Sequence, residues 1–168
     1  AWIERNQSGK LITWLKINPS IPASSGITIY LGFASKTTNL LSSSGTTGIG
    51  EAPQLSSTYA QYDDGASVFN NYWNFAGTSL PSSLVVGNTG GTYSVNNGLR
   101  ITGGSGTYEG IFSNSAINPQ TTISDFYGYL IGTGNWISQF GLYVSASGAN
   151  PQYFIWTPSA NDYALTTS

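Results

Sequence analysis

The chain has 168 residues, a length that suits one domain or two small ones. It has five Lys and Arg residues against seven Asp and Glu residues, so charged residues make up 7% of the chain, where about 25% is usual. It contains no Cys, His or Met, which excludes disulfides, thiolate nucleophiles, Cys/His metal sites and a histidine general base. With a net charge of −2 and few cations, we expect no nucleic-acid partner.

The remaining composition predicts an all-β protein that works outside the cell. Ser and Thr supply a quarter of the chain and aromatic residues supply 14%, which suits sheets with polar outer faces and apolar inner faces. Few charges and no oxidisable sulfur favour an exposed extracellular location. No apolar run approaches about 18 residues, so we expect no membrane insertion. The chain begins without Met, within a predicted strand, and we expect it to be processed or part of a longer polypeptide.

The first third of the chain contains two predicted strands followed by a long connection. Leu11 to Ile17 is the first of these strands. In the second, strict alternation from 27 to 33 places Ile27, Ile29, Leu31 and Phe33 on one face, which is typical of a half-buried strand. Residues 34–58 are rich in Ser, Thr and Gly and indicate a surface connection. Asp63-Asp64-Gly65 then indicates a turn.

The stretch from Tyr93 to Ile101, which contains Asn97-Gly98, is the strongest local signal in the chain. The pair can supply both positive-φ positions of a type I′ turn, so that Tyr93, Val95, Leu99 and Ile101 share a buried face. Further strands are predicted at 107–113, 121–131, 136–146 and 152–157, followed by a polar tail at 158–168. No helix is predicted. The fold class is therefore all-β, an antiparallel β-sandwich or jelly roll, which we expect to be an incomplete portion of a longer chain.

Several segments resemble an uncharacterised β-domain of large archaeal and bacterial surface proteins. The segments are Trp2-Ile3-Glu4, Trp14-Leu15-Lys16-Ile17 and the run from Ile21 to Phe33. They are similar to the pattern W-I-E, then W-v-k-i-P-s-I-p-a, then t-I-Y-x-G. The family closes with V-F-x-x-(F/Y)-x-x-F, which the run from Val68 to Phe75 matches. Similar modules occur in spike proteins of viruses of hyperthermophilic archaea, so the resemblance implies a cell-surface or virion-surface location.

The resemblance implies two domains. Residues 1–76 correspond to the surface-protein β-domain without its first strands. In such proteins the closing segment leads into a concanavalin A-like or laminin-G-like sandwich, and residues 77–168 look similar to the beginning of one. We therefore expect a domain boundary near residue 76.

Three aspartates are the candidates for a metal site: Asp63, Asp64 and Asp125. Calcium takes several such oxygens together with backbone carbonyls, and lectin-like sandwiches often bind it. No D-x-D-x-D-G loop is present, however, and a turn accounts for Asp63-Asp64-Gly65 equally well. We expect no obligatory cofactor and keep calcium as a hypothesis.

The carboxylates do not form a glycosidase motif. Glu51, Glu109 and Asp125 are available for a catalytic pair, but the E-x-D-x-x-E pattern of concanavalin-like glucanases is absent. We therefore expect no enzymatic activity and no catalytic residues.

Exposed aromatic residues are the candidate ligand-binding feature, because flat rings stack on sugars. The predicted platform consists of Tyr127, Tyr129, Trp136, Tyr153 and Trp156. The alternative is that these rings pack within the sheets. Asn6-Gln7-Ser8 is a glycosylation acceptor sequence, so Asn6 is a candidate modification site.

Three functions remain open. The first is a non-catalytic structural and attachment module of an archaeal surface protein or archaeal-virus spike. The second is a carbohydrate-binding module of a secreted enzyme, and the third is a filament subunit assembled by β-strand donation. The partners expected are other subunits or flanking domains of the same protein, with cell-surface glycans as the alternative.

Overall fold

The computed structural model confirms an all-β chain built from several small sheets. It describes residues 1–17, 20–44, 48–88, 90–102, 109–115, 123, 125–128, 138–142, 152–157 and 162–166. Over these residues there are ten strands and a single turn of helix. The chain divides into two compact units, Ala1–Ser113 and Asn114–Ser168. The predicted boundary near residue 76 falls inside the first unit.

The first unit opens with an antiparallel hairpin. Strand β1 spans Trp2–Gln7 and strand β2 spans Lys10–Trp14, paired from Trp2 with Trp14 to Gln7 with Lys10. Ser8 and Gly9 form the two-residue turn, and both have positive φ, at 54° and 74°. These are the signs that a type I′ turn requires, because its twist matches that of the flanking strands. The predicted strand from Leu11 to Ile17 is confirmed as far as Trp14.

A short strand within the predicted surface connection completes this sheet. Strand β3, Gly50–Glu51, pairs parallel with β1, giving the order β2-β1-β3. The backbone N–H of Ala52 donates to the Ile3 carbonyl at 2.8 Å, which extends the pairing by one residue. The other connecting residues described between 34 and 58 form turns and bends, with one isolated bridge between Leu41 and Ile49.

The predicted turn at Asp63-Asp64-Gly65 is confirmed, and it leads into helix α1. The Asp63 side chain accepts a hydrogen bond from the Gly65 N–H at 3.0 Å, which is the geometry of an Asx turn. Helix α1 covers only Gly65–Val68, a single turn that the sequence prediction missed. An aromatic segment, Phe69 to Phe75, follows it.

Two more ribbons complete the first unit. Strands β4 (Leu84–Asn88) and β7 (Glu109–Ser113) pair antiparallel. Between them in sequence lies the predicted hairpin, with β5 at Thr92–Val95 and β6 at Leu99–Thr102. The strand predicted at 107–113 is thus confirmed in β7.

The β5–β6 hairpin has the predicted positive-φ pair but a longer loop. Asn97 and Gly98 have φ of 49° and 137°. Val95 pairs with Leu99, however, so three residues connect the strands instead of two. The loop is fixed from outside, because the N–H groups of Asn97 and Gly98 donate to the carbonyls of Gly77 and Phe75 at 3.0 and 2.9 Å. The aromatic segment therefore decides this turn geometry together with the local sequence.

The predicted buried face of this hairpin is only partly buried. Tyr93 pairs with Ile101, and Val95 pairs with Leu99, as the alternation predicted. Val95 is buried, whereas Tyr93 and Ile101 are 41% and 44% exposed. The prediction that all four are buried is therefore wrong, because within the described residues this two-stranded ribbon has no third strand beside it.

The strand predicted at residues 27–33 is not formed. These residues belong to no strand, and the apolar side chains are exposed, from 49% for Ile27 to 85% for Phe33. A strand forms only where a neighbour satisfies its backbone groups. No described segment pairs with residues 27–33, which is the physical reason that the alternating pattern does not produce a strand.

The second unit contains one antiparallel sheet among its described residues. Strands β8 (Ser138–Leu142), β9 (Gln152–Thr157) and β10 (Asp162–Thr166) pair in the order β8-β9-β10. The strands predicted at 136–146 and 152–157 are confirmed in β8 and β9. Strand β10 lies in the region predicted to be a polar tail. Of the strand predicted at 121–131, residues 123 and 125–128 are described and are not in a strand; the other positions lie outside the described residues.

Helix α1, with four residues, is far too short to cross a bilayer, and the described residues include no helix that is long and apolar enough to do so.

Candidate functional site

The Asp63 carboxylate is the most densely bonded side chain among the described residues. Its Oδ1 accepts hydrogen bonds from the Trp2 indole at 3.0 Å, the Tyr72 hydroxyl at 2.8 Å and the Gly65 N–H at 3.0 Å. Its Oδ2 accepts from the Asn74 amide at 2.6 Å. All four donors are uncharged, so a single negative charge organises four neutral groups. Hydrogen bonds to an ionised acceptor are about twice as strong as bonds between neutral groups.

Strand β3 positions Asp63 against β1. The Glu51 N–H donates to the Tyr62 carbonyl at 2.9 Å, directly before Asp63, and Glu51 itself pairs with Ile3. The chain therefore reaches Asp63 already aligned with the first strand, and the Trp2 indole lies within reach. Trp2 and Asp63 are 61 positions apart in sequence, so their contact depends on this parallel pairing.

An aromatic cluster covers the carboxylate. The Trp2 ring packs edge-on against Phe69 and Tyr72, with centroids 5.2 and 5.8 Å away. Phe69 stacks on Tyr72 at 5.8 Å, and Trp14 reaches Phe69 at 5.5 Å. Such contacts contribute about 0.5–1.5 kcal/mol each beyond area burial. Trp2 is 5% exposed and is the one buried ring of this cluster, since Trp14, Phe69 and Tyr72 are half-buried.

Gly65 is required by the close approach of this cluster. A Cβ atom at Gly65 would lie 2.2 Å from a ring carbon of Tyr72. Contacts under 3.0 Å force a shift of the structure, and here the neighbour is a ring that is already held by Asp63 and Phe69. The glycine therefore allows the Tyr72 hydroxyl to reach the carboxylate.

Two tyrosines next to Asp63 are held in their neutral form. Burial, the hydrogen bond to Asp63 and the charge of Asp63 raise the pKa of Tyr72 far above its usual value. Burial and, secondarily, the Asp63 charge also raise the pKa of Tyr59. The Tyr59 hydroxyl donates to the Asn74 carbonyl at 2.5 Å. Both phenols serve as hydrogen-bond donors here, and neither is activated as a base.

Asp64 differs from Asp63 in that part of its carboxylate is unused. Asp64 is 8% exposed, and its Oδ1 accepts from the Ser67 hydroxyl at 2.6 Å. Its Oδ2 is buried and accepts no hydrogen bond from any described residue. A buried acceptor without a donor costs about 1–3 kcal/mol. Asp64 therefore carries a cost within the fold that Asp63, with both oxygens bonded, does not.

Asp64 lines an open depression of about 420 Å³. The volume is within the range of small-ligand sites, about 300–1,000 Å³. The Trp73 indole at its edge donates to the Ser83 hydroxyl at 2.9 Å, which fixes the ring. Aromatic, hydroxyl, amide and carboxylate groups face the same space, from Ser43, Asp64, Tyr72, Trp73, Asn74 and Ser83. This combination suits a ligand that has both hydroxyl donors and a flat apolar surface.

The structure brings two of the three predicted metal ligands together. Asp63 and Asp64 are adjacent and line the same depression, while Asp125 belongs to the second unit. Both oxygens of Asp63 are engaged by donors from the chain itself. Across the described residues, no three acidic side chains gather at a place where they could hold a metal ion. Calcium binding stays a prediction.

The predicted aromatic platform lies in the second unit. Tyr127 is 65% exposed, and Tyr153 and Trp156 belong to β9. Tyr129 and Trp136 lie outside the described residues. Sugar stacking by these rings therefore stays a prediction. Asn6 is exposed near the end of β1, two residues before the Ser8-Gly9 turn. Its glycosylation also stays a prediction.

Sequence reasoning missed Trp2, Tyr72, Trp73 and Asn74 as site residues. For the last three a signal was present in the closing segment, where aromatic and amide residues follow Asp63 within 11 positions. Local sequence does not reveal that Trp2 joins them, because that contact depends on the pairing of β1 with β3.

Comparison with known proteins links part of the chain to a virus. Over 76 residues it is 38% identical to the uncharacterised protein 562 of Sulfolobus islandicus rod-shaped virus 1. The match covers 44% of this chain and 12% of that protein, so the chain spans only a small part of the viral protein's length. No protein-family model and no solved structure matches the chain.

Replacing Asp63 tests its role as the common acceptor. In Asp63→Ala, the Trp2 indole, the Tyr72 hydroxyl and the Asn74 amide lose their acceptor, and we expect the free energy of unfolding to fall by about 3 kcal/mol or more. Asp63→Asn retains one acceptor oxygen. Its new NH2 group is a donor, however, and with the other donors kept on that oxygen it faces the NH2 group of Asn74, which is also a donor. Turning the Asn74 amide over would break its bond to the Ala76 N–H, so a loss of about 1–2 kcal/mol is expected. Urea unfolding followed by tryptophan fluorescence measures both losses.

Asp64→Asn is the matched control for this series. It removes the neighbouring charge, but it keeps the oxygen that Ser67 uses and breaks no hydrogen bond at Oδ2. Its stability is expected to stay within about 1 kcal/mol of the wild type. Equal losses in Asp63→Ala and Asp64→Asn would contradict the role assigned to Asp63.

The protein is expected to lose stability in alkali. Because the pKa of Tyr72 is higher in the folded state than its ordinary value of 10.0, the unfolded chain loses its proton first. This contribution to stability is complete below pH 10 and decreases as the pH rises above it, with Tyr59 acting in the same direction. Urea unfolding between pH 8 and pH 12 measures the slope.

Tyr72→Phe separates the two effects of the phenol. At pH 8 the variant is less stable than the wild type, because the bond to Asp63 is lost. Above pH 10 its stability should fall less steeply, because one ionisable phenol is gone. Parallel curves for the two proteins across this range would contradict the assignment to Tyr72.

Proposed function

We propose that this chain is a non-catalytic structural and attachment module of an archaeal-virus protein, carried on the outer surface of the particle. The observation that carries the proposal is the similarity over 76 residues to a protein of Sulfolobus islandicus rod-shaped virus 1. The shared stretch is 12% of that protein, which is consistent with one module among several.

The chemistry of the first unit supports a structural role over a catalytic one. The Asp63 carboxylate is occupied by four donors from the chain itself. Glu51 is also buried, and its carboxylate accepts a hydrogen bond from the Ser56 hydroxyl. Glu4 accepts from the Trp14 indole at 2.5 Å. The sequence has few carboxylates, and these three accept hydrogen bonds from other residues of the same chain.

Composition supports an exposed location. Charged residues make up 7% of the chain, and no Cys or Met offers sulfur to oxidation. The fold is therefore stabilised by aromatic packing and hydrogen bonding. Neither interaction depends on the redox state of the compartment. These features suit the surface of a particle outside its host.

Immunogold labelling tests the location. Antibodies raised against the recombinant chain are applied to intact particles released from a culture that produces it. Gold on the outside of unopened particles is expected, and antibody preabsorbed with the chain should remove it. Label that appears only within cells, with none on intact particles, would contradict the proposal.

Carbohydrate binding is the second candidate, and the depression next to Asp64 is the observation that favours it. Asp64 and the Trp73 ring line this depression together, so a sugar bound there would meet both a carboxylate and an aromatic ring. This position differs from the aromatic platform predicted from residues 127–156.

A glycan array probed with three proteins tests this second candidate. Wild-type chain is expected to bind a subset of glycans, and Trp73→Ala is expected to lose that binding by tenfold or more. Tyr127→Ala is the matched control, because it removes an exposed ring of the predicted platform. The reverse pattern would assign binding to that platform, and silence of the wild type would contradict carbohydrate binding.

A further inference from the structure

The loop of the β5–β6 hairpin contains the only Asn-Gly pair of the chain, Asn97-Gly98. Asparagine is among the thermolabile residues, and a following glycine makes it more reactive, because glycine has no Cβ to hinder attack by its own nitrogen on the asparagine side chain. Asn97 is exposed, and a Cβ atom at Gly98 would meet nothing within 4 Å. Sequence and exposure therefore place a reactive pair, accessible to water, at the tip of this hairpin.

Deamidation of this pair needs only water as a co-reactant. The Gly98 nitrogen loses its proton and attacks the side-chain carbonyl carbon of Asn97, so that a C–N bond forms and the side-chain nitrogen leaves as ammonia, which takes up a proton. Water then opens the resulting succinimide ring. Cleavage at the side-chain carbonyl gives aspartate, and cleavage at the backbone carbonyl gives isoaspartate, in which the chain continues through the former side chain.

The fold engages both of the groups that must react. The Gly98 N–H donates to the Phe75 carbonyl at 2.9 Å, so the proton that has to leave is held by an acceptor. The side-chain oxygen of Asn97 accepts from the Gly77 N–H at 3.1 Å, which holds the amide that has to be attacked. A third bond, from the Asn97 N–H to the Gly77 carbonyl at 3.0 Å, fixes the loop between them. The bonds to both reacting groups must break before the ring can close.

We propose that Asn97 is a site of spontaneous deamidation whose rate is set by the contact between the hairpin loop and the segment Phe75–Gly77. While this contact is closed, the Gly98 nitrogen is protected. When it opens, the loop reacts at the rate of an unfolded chain. The rate therefore reports the fraction of time for which the contact is open, as hydrogen exchange does for backbone amides that are exposed by local opening.

The contact is a place where local opening is favoured over global unfolding. Phe75 and Gly77 both have positive φ, at 53° and 79°. Positive φ is a genuine outlier for a bulky residue such as Phe75, and such strain persists only where surrounding contacts sustain it. Opening relieves this strain and breaks the three hydrogen bonds to the loop. It does not require β5 to separate from β6.

The two products change the loop in different ways. Aspartate keeps an oxygen for the Gly77 N–H and adds a charge that strengthens this bond, while the net charge of the chain goes from −2 to −3. Isoaspartate inserts one more backbone atom between the two N–H groups of the loop. Both groups then cannot reach the carbonyls of Phe75 and Gly77 together, so isoaspartate prevents the contact from closing again.

Peptide mass spectrometry tests the protection, because it locates the change from amide to acid along the chain. Folded chain and the same chain unfolded in urea are incubated at pH 8 and sampled over time. Deamidation of Asn97 is expected to be slower in the folded chain by about tenfold or more, yet Asn97 should still be the first asparagine of the folded chain to react. Equal rates in the two states, or another asparagine reacting first, would overturn the proposal.

Gly77→Ala tests whether the segment Phe75–Gly77 sets the rate. A Cβ atom at Gly77 would meet nothing within 4 Å, but a φ of 79° disfavours alanine. The contact should open more often, and deamidation of Asn97 in the folded variant should accelerate about fivefold. Gly26→Ala is the matched control, because it also adds a Cβ atom in open space but at a glycine without positive φ; its rate should equal that of the wild type.

Circular dichroism and urea unfolding establish that both variants are folded under the conditions of the incubation. A folded Gly77→Ala chain that deamidates at the wild-type rate, or equal acceleration in both variants, would overturn the role of this segment. If Gly77→Ala does not fold, the comparison of folded and unfolded wild-type chain decides the proposal by itself.

Discussion

The Asp63 carboxylate accepts hydrogen bonds from the Trp2 indole, the Gly65 N–H, the Tyr72 hydroxyl and the Asn74 amide, which belong to the first strand, the helical turn and the segment that follows it. A chain with seven acidic residues uses one of them to connect these three elements. Three of these donors lie in or next to the aromatic cluster, in which Trp2, Phe69 and Tyr72 pack against one another. The order of the first unit around Trp2 depends on this acceptor.

The same segment connects this cluster to the rest of the first unit. Just beyond Asn74, the carbonyls of Phe75 and Gly77 receive the N–H groups of the hairpin loop at Gly98 and Asn97. The Asn97 side chain returns a bond by accepting from the Gly77 N–H at 3.1 Å. Backbone and side-chain hydrogen bonds thus connect the elements of the first unit, and aromatic packing adds to them around Trp2. This is how a domain with few charges and little deeply buried surface maintains a defined arrangement.

Four carboxylates of the first unit, those of Glu4, Glu51, Asp63 and Asp64, accept hydrogen bonds from side chains of the same unit. The first unit thus uses each of these carboxylates within its own fold. Its distinctive surfaces are the depression beside Asp64 and the apolar segment Ile27–Phe33. The first brings carboxylates and an aromatic ring to one space, and the second exposes apolar side chains on residues that form no strand.

The sequence by itself determined the all-β class, the Asp63-Asp64-Gly65 turn and the positive-φ pair at Asn97-Gly98, because alternation and positive-φ residues act over a few neighbouring positions. Tertiary structure decided which of those patterns became buried. Residues 27–33 alternate as clearly as any strand, yet they stay exposed because a strand exists only where another segment pairs with it. The role of Asp63 was decided in the same way, since its contact with Trp2 spans 61 positions and depends on the pairing of β1 with β3. Local sequence carries the propensity of each segment, and only the folded chain supplies its partner.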